Sequence, residues 1–277
     1  MTLEIPADRI VGLLGRNGAG KTTLLNLASG LLMPTFGRCL TLGRDSALLE
    51  APELLRLGVV QQEARFVEWM TVAQHLDFTA SFYPTWDASL EQRLLGELEL
   101  DSKRKIAQLS TGDRQKMAIL LGVCHRPALL LLDEPMSALD PIVRARMLDL
   151  LLERLRDDSC TIVISSHILN DVEKIVDWVL CLDKGSVTEN AAFDTLQESY
   201  AEWTVTAING TTLPAAFTES YVLACESNGR LARLTVRTGD MDEAKRFATT
   251  YGAEVQSRPL NLTEMFPHLT QDRSAAR

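Results

Sequence analysis

The sequence predicts an α/β protein: a mostly parallel sheet covered by helices, a helical insertion, and a small α+β appendage at the C-terminal end. Three observations carry this prediction. Uninterrupted apolar runs recur at Ile10–Leu14, Leu129–Leu132, Thr161–Ile164 and Val179–Leu182, with longer amphipathic stretches between them, as expected of strands buried on both faces. From about Glu63 to His125 the pattern is helical, with few strand signals. Beyond about Tyr200 the texture changes to short strand-like segments and one helical one.

Taken in order, Thr22–Leu32 reads as a helix ended by Pro34 and Gly37. Within the insertion, Tyr83-Pro84-Thr85-Trp86-Asp87 reads as a turn into a new helix. Pro141–Leu155 reads as another helix: Asp140 suits the N-cap, Pro141 the first helical position, and Val143, Met147, Leu150 and Leu151 share one face. In the appendage, Trp203–Ala207, Tyr221–Ala224 and Leu231–Val236 read as strands and Met241–Tyr251 as a helix. The expected domains are therefore residues 1–198, with a helical lobe at about 63–125, and residues 199–277.

Charge and composition exclude several classes. The 28 Lys and Arg against 37 Asp and Glu give a formal charge of −9, so the chain as a whole is repelled by phosphate backbones and anionic lipid, and no nucleic-acid partner is expected. No apolar run approaches the roughly 18 residues needed to span a bilayer. Glu4, Pro6 and Asp8 are unlike the basic start and apolar core of a secretory signal, which places the chain in the cytoplasm. Five scattered cysteines, Cys39, Cys124, Cys160, Cys181 and Cys225, suggest neither disulfides nor a zinc site and read as buried free thiols.

The strongest motif is Gly15-Arg16-Asn17-Gly18-Ala19-Gly20-Lys21-Thr22, continued by Thr23, between an expected strand and an expected helix. This is the P-loop pattern in its proper context, and it makes the core that of a P-loop NTPase. The glycines let the backbone turn its N–H groups inward toward β- and γ-phosphates, and the helix N-terminus adds to that field. Lys21 brings a positive charge, and Thr22 a hydroxyl for a hydrated Mg²⁺. A second acidic motif follows Leu129-Leu130-Leu131-Leu132. There Asp133 and Glu134 stand at the end of a buried strand, where ligands gather in open α/β sheets. Asp133 suits a metal held through water, and Glu134 suits orienting and deprotonating the attacking water.

Between these motifs lies Leu109-Ser110-Thr111-Gly112-Asp113-Arg114-Gln115-Lys116, and here the chain resembles an ATP-binding cassette (ABC) ATPase, whose usual signature reads LSGGQ. Thr111 and Asp113 depart from it; Ser110 and Gly112 are kept. The resemblance implies that Ser110, Thr111 and Gly112 meet the γ-phosphate of ATP held by a second subunit, a role that can coexist with Ser110 capping the following helix. It further implies that Gln62 is the Q-loop glutamine touching Mg²⁺, with Gln61 standing where proline is usual and leaving one residue of ambiguity. Ser137-Ala138-Leu139-Asp140 resembles the D-loop, and His167 in Ile164-Ser165-Ser166-His167 the switch histidine that contacts the γ-phosphate. The metal set implied is Thr22, Gln62 and Asp133; the catalytic set is Glu134, His167 and Gln62.

The likeness covers about residues 3–190. It implies an ATP-hydrolysing subunit that dimerises, as homodimer or heterodimer, around two ATP and drives a separate transmembrane protein, lying on the inner face of the membrane only through that partner. The Phe82–Asp87 stretch and the segment Pro259–Phe266 resemble bacterial exporters of the ABC-2 type. Phe66, Trp69 and Met70 are either groove residues for the membrane partner or core. Other readings are a soluble ABC-type ATPase not coupled to transport and a nucleotide-binding regulatory subunit with weak turnover. The family usually stacks an aromatic residue on adenine, about 25 residues before the P-loop; only 14 residues precede Gly15 here and none is aromatic. The alternatives are a truncated front end, ATP held through its phosphates alone, or a ring supplied by a partner.

Overall fold

The computed structural model describes residues 1–158, 160–208, 210–238 and 240–270. The chain divides into two compact units, Met1–Asn190 and Ala191–Arg277.

In the first unit the elements follow the chain as β1 (Ile10–Gly15), α1 (Lys21–Ala28), the short pair β2 (Leu40–Thr41) and β3 (Arg44–Asp45), α2 (Ala51–Leu54), β4 (Leu57–Val60), α3 (Val72–Ala80), α4 (Ala88–Glu97), α5 (Thr111–Val123), β5 (Leu129–Asp133), α6 (Pro141–Asp158), β6 (Thr161–Ser165), α7 (Leu169–Val172), β7 (Trp178–Asp183) and β8 (Ser186–Ala192). Six strands form one sheet in the order β4-β5-β6-β1-β7-β8. β1 runs parallel to both β6 and β7, and β5 parallel to β4 and β6. Every residue of β1 is buried, which explains its unbroken apolar run. Because β1 and β5 are separated only by β6, the chain segments that follow Gly15 and Asp133 emerge close together at the C-terminal ends of the strands.

Helix ends follow local chemistry. The Asp140 carboxylate accepts the N–H groups of Ile142 and Val143, each at 3.0 Å, with Pro141 at the first helical position. Asp87 accepts the Leu90 N–H at 2.9 Å and starts α4 where the Tyr83–Asp87 turn was expected to lead. Two helices differ from expectation. α1 ends at Ala28, not Leu32, because Gly30 takes a left-handed backbone (φ 75°) and closes the helix. Leu31 and Leu32 continue the apolar pattern but lie exposed, so the pattern outruns the helix. α6 continues past Leu155 to Asp158.

Residues 63–125 carry α3, α4 and α5 and contribute no strand to the sheet. Residues 68–73, which run into the first turn of α3, bond to residues 102–107, which precede α5, about a single antiparallel bridge between Thr71 and Lys105. Ala107 and Ile106 donate to the carbonyls of Glu68 and Met70, and Val72 and Ala73 donate to those of Arg104 and Ser102, at 2.9–3.1 Å. α5 then packs on β4 with almost no space between them: a Cβ on Gly58 would lie 2.4 Å from the Gly122 carbonyl oxygen, and one on Gly122 2.7 Å from Val60 Cγ2.

The second unit holds α8 (Phe193–Ser199), β9 (Tyr200–Ala207), β10 (Val222–Ser227), β11 (Leu231–Arg237), α9 (Met241–Tyr251), β12 (Ala253–Pro259) and α10 (Leu262–Leu269). Its antiparallel sheet, ordered β10-β11-β9-β12, buries Trp203, Val205, Ala232, Leu234 and Val236 around Phe247 of α9. All five cysteines are free; Cys124, Cys160 and Cys181 are buried, whereas Cys39 and Cys225 are only half-buried, against expectation. Burial pushes the Cys160 thiol up to about 11, so it behaves as an inert core group. Among the described residues no helix is long and apolar enough to cross a membrane.

The closeness of α5 and β4 sets a test. Gly122→Val, which forces the helix off the strand, lowers folding stability by about 1–3 kcal/mol. A shift of the urea midpoint to lower concentration with unchanged slope checks this; an unshifted midpoint shows that the interface has room to spare.

Candidate functional site

The phosphate loop is the connection from β1 to α1. Gly15 leaves the strand at φ 157°, and a Cβ there would lie 2.5 Å from the Leu182 carbonyl oxygen of β7. Only glycine fits this approach. The loop is closed by Ala19 donating to the Arg16 carbonyl at 3.0 Å and is braced from β7–β8 by Gly185 donating to the Ala19 carbonyl at 2.9 Å. Gly20, left-handed at φ 108°, turns the chain into α1. No acidic side chain occupies the first turn of α1, so the positive end of its dipole is uncompensated by its own sequence. Lys21 is buried, and its Nζ donates to the Gly15 carbonyl at 2.8 Å.

The acidic pair closes the opposite wall. Asp133 is the last residue of β5, and Glu134 turns out of the sheet in a left-handed conformation (φ 49°). That conformation costs a non-glycine residue roughly 1–2 kcal/mol, so it persists only where neighbours hold it. They hold Glu134 at its N–H, its carbonyl and one carboxylate oxygen. Its N–H donates to Ser165 Oγ at 2.9 Å, its carbonyl accepts Ser137 Oγ at 3.0 Å, and its Oε2 accepts His167 Nδ1 at 2.7 Å and the His167 N–H at 3.3 Å. A carboxylate oxygen only accepts, so the imidazole proton sits on Nδ1 and Nε2 is left for a ligand.

The structure brings Asn17, Gly18, Ala19, Gly20, Lys21, Thr22, Thr23, Gln62, Asp133, Glu134 and His167 around one cavity of about 540 Å³. Gln62 lines it and Gln61 does not. Gly15 and Arg16 shape the loop without lining the cavity. Among the described residues no cluster of three His, Cys, Asp or Glu could grip a metal on its own. The oxygen donors of Thr22, Gln62 and Asp133 instead fit a hydrated Mg²⁺ that takes its remaining ligands from phosphate and water.

Ser110, Thr111 and Gly112 do not line this cavity. They form the start of α5, where Ser110 Oγ accepts the Asp113 N–H at 3.1 Å as the N-cap. A Cβ on Gly112 would lie 2.9 Å from the Ala138 carbonyl oxygen, so its missing side chain also lets the 137–140 turn lie against α5. Asp113, the residue foreign to the LSGGQ pattern, is paired with Arg104 at 3.2 Å and Lys116 at 3.3 Å. Burial opposes its charge, but the Ser110 and Lys116 bonds and the Arg104 cation outweigh burial and hold its carboxyl below the usual range. Next along the helix, Arg114 grips Glu68 with both nitrogens, at 2.6 and 3.0 Å. Beside Glu68, Trp69 is 68% exposed, while Phe66 and Met70 are half-buried and Phe66 meets the His75 ring edge-on at 5.6 Å.

Sequence reasoning missed Ser165, Ser137 and Arg104. Ser165 and Ser137 stand inside motifs already singled out, but their bonding partners depend on sheet register and on the turn at Glu134.

Comparison with known proteins agrees with this geometry. A family model for ABC transporters matches residues 1–137. The ABC transporter ATP-binding protein YtrB of Bacillus subtilis is 28% identical over 269 residues, covering 96% of this chain and 90% of that protein. The bacitracin transport ATP-binding protein BcrA of Bacillus licheniformis is 32% identical over 200 residues, covering 72% and 65%. The aliphatic sulfonates import ATP-binding protein SsuB of Shigella flexneri is 32% identical over 195 residues, covering 70% and 74%. Among solved structures, the ATP-binding subunit of an ABC transporter superposes with a TM-score of 0.63 at 27% identity, covering 69% of this chain and 81% of that one. A dimeric ATP-binding cassette in a post-hydrolysis state with ADP and Pi superposes at 0.60 and 25% identity, covering 69% and 88%. The chain therefore belongs to the ATP-binding subunits of ABC transporters and is an ATPase.

Proposed function

We propose that the chain binds Mg-ATP in the 540 Å³ cavity, closes with a second ATPase subunit around two nucleotides, and drives a separate transmembrane subunit of the ABC-2 type as an exporter. The observation that carries this reading is that the P-loop, Asp133, Glu134, Gln62 and His167 share one cavity that Ser110 and Gly112 do not line. A signature that does not line the cavity of its own nucleotide is useful only to a nucleotide held by another subunit.

In this reading the loop N–H groups and Lys21 neutralise the phosphates. Thr22, Gln62 and Asp133 would hold Mg²⁺, which would supply positive charge against the charge that develops on transfer. Glu134, with Oε2 fixed by His167, has Oε1 left to take a proton from the attacking water. His167 Nε2 meets the γ-phosphate, and Ser110 Oγ with the N–H groups of Thr111 and Gly112 completes the site from across the dimer. The segments around Phe82–Asp87 and Pro259–Phe266, which resemble ABC-2-type exporters, favour export; the sulfonate relative, named as an importer, matches this chain at similar identity and coverage to the bacitracin transport relative. Exposed Trp69 is the residue offered to the membrane partner, which holds the chain at the cytoplasmic face.

The assigned roles give three expected outcomes. Lys21→Ala abolishes ATP binding; calorimetry that shows retained affinity would overturn the P-loop assignment. Glu134→Gln keeps ATP binding, slows hydrolysis by roughly 10²–10⁴, and shifts in mass from monomer to dimer when Mg-ATP is added. Normal turnover in that variant removes Glu134 as the base. Thr111→Gly restores one of the two departures from the usual signature and leaves binding intact with turnover changed only a few-fold, about 1 kcal/mol or less in barrier. Loss of folding in that variant assigns the position to structure instead.

A further inference from the structure

We infer that Ser165 is a positioning residue for hydrolysis, a hydroxyl that fixes the metal carboxylate and the base with one atom. The inference deepens the proposed reading and rests on its assignment of Asp133 and Glu134. Ser165 ends β6, is fully buried, and lies opposite Asp133 in the parallel β5–β6 register. Its neighbours toward the N-terminus of the strand are Ile162, Val163 and Ile164, so a hydroxyl here is out of character with the core around it. A buried hydroxyl is costly unless both its donor and its lone pairs are used. Ser165 uses both on the acidic pair.

Ser165 Oγ donates to Asp133 Oδ1 at 2.6 Å and accepts the Glu134 N–H at 2.9 Å. The two bonds do different work. The first ties the Asp133 carboxylate down through Oδ1, at a residue that lines the same cavity as Thr22 and Gln62. The second anchors the peptide of Glu134 at the point where the chain adopts φ 49°, and that turn is what carries Oε2 to His167. Strand β6 and the His167 segment thus grip Glu134 at both ends, its main-chain N–H and its carboxylate. Partners one shell behind a metal ligand are typically worth 10- to 100-fold in affinity or activity when removed, and the same argument applies to the orientation of a general base.

The experiment compares full-length wild type with Ser165→Ala, which deletes only the hydroxyl. Calorimetric titration with ATP in chelator, and with ATP over a range of Mg²⁺, reads binding without turnover. The expected result is metal-free ATP affinity within twofold of wild type and a half-saturating Mg²⁺ concentration raised about tenfold. Steady-state kinetics should show kcat reduced 10- to 100-fold with KM for ATP within about threefold. In a Glu134→Gln background the Ser165→Ala change should no longer lower kcat, while the Mg²⁺ shift, which runs through Asp133, should persist. Mg²⁺ dependence and kcat both within twofold of wild type in folded Ser165→Ala overturn the inference. So does loss of metal-free binding together with a collapsed thermal midpoint, which would make Ser165 a fold residue only. Normal hydrolysis by Glu134→Gln alone would instead sink the base assignment, and the Mg²⁺ shift would still judge Ser165 at Asp133.

Discussion

The architecture of the site depends on holding Glu134 in a conformation that its own sequence disfavours. An L-residue with φ 49° is unstable in isolation, and here β6, the 137–140 turn and the His167 segment each contribute a hydrogen bond to it. The consequence is coupling by geometry. The 137–140 turn, His167 and, through Ser165, the Asp133 carboxylate all meet at one residue, so none of them can shift without changing the bonds on the others. The parallel sheet supplies the rigidity for this, because β5 and β6 are neighbours and their C-terminal ends are fixed by ladder bonds and a dry core.

Much of this was legible in the sequence for identifiable reasons. The four central strands are buried on both faces, so Ile10–Leu14 and its counterparts carry unbroken apolar runs that no surface element would show. The P-loop was legible because its chemistry is local: glycine conformations and a helix N-terminus are set within eight residues. The Tyr83–Asp87 turn and the Asp140 cap were legible for the same reason. What escaped was long-range. Ser165 meets Asp133 and Glu134 only through sheet register, and Arg104 reaches Asp113 only because residues 102–107 are stitched to 68–73. The end of α1 was misjudged because periodicity in Leu31 and Leu32 persists after Gly30 has already closed the helix.

The departure at Asp113 shows how a changed motif can be absorbed. The Asp113 carboxylate is met by two cations within 3.3 Å, Arg104 and Lys116, so the negative charge it adds to the start of α5 is opposed locally. Lys116 lies one helical turn away, a spacing that sequence alone makes natural. Arg104 comes from outside the helix and also donates to the Gln108 carbonyl at 2.5 Å, tying the approach to the signature to its first turn. The same approach is linked by backbone bonds to the segment carrying Trp69, so that exposed ring and the Ser110 cap are joined by a short run of main-chain hydrogen bonds.

The place of β1 in the sheet has a consequence for how the protein is made. β1 leaves the ribosome before both strands that flank it, β6 and β7, which come from the far end of the first unit. The P-loop is shaped against Leu182 and Gly185, so it cannot take its working form until those residues have been synthesised. Until then the nascent chain carries a fully apolar strand with two open edges, the kind of segment that pairs with the wrong neighbour. Vectorial synthesis therefore leaves the loop unshaped from the making of β1 until the turn after β7 has followed, and only then can β1 be buried between its partners.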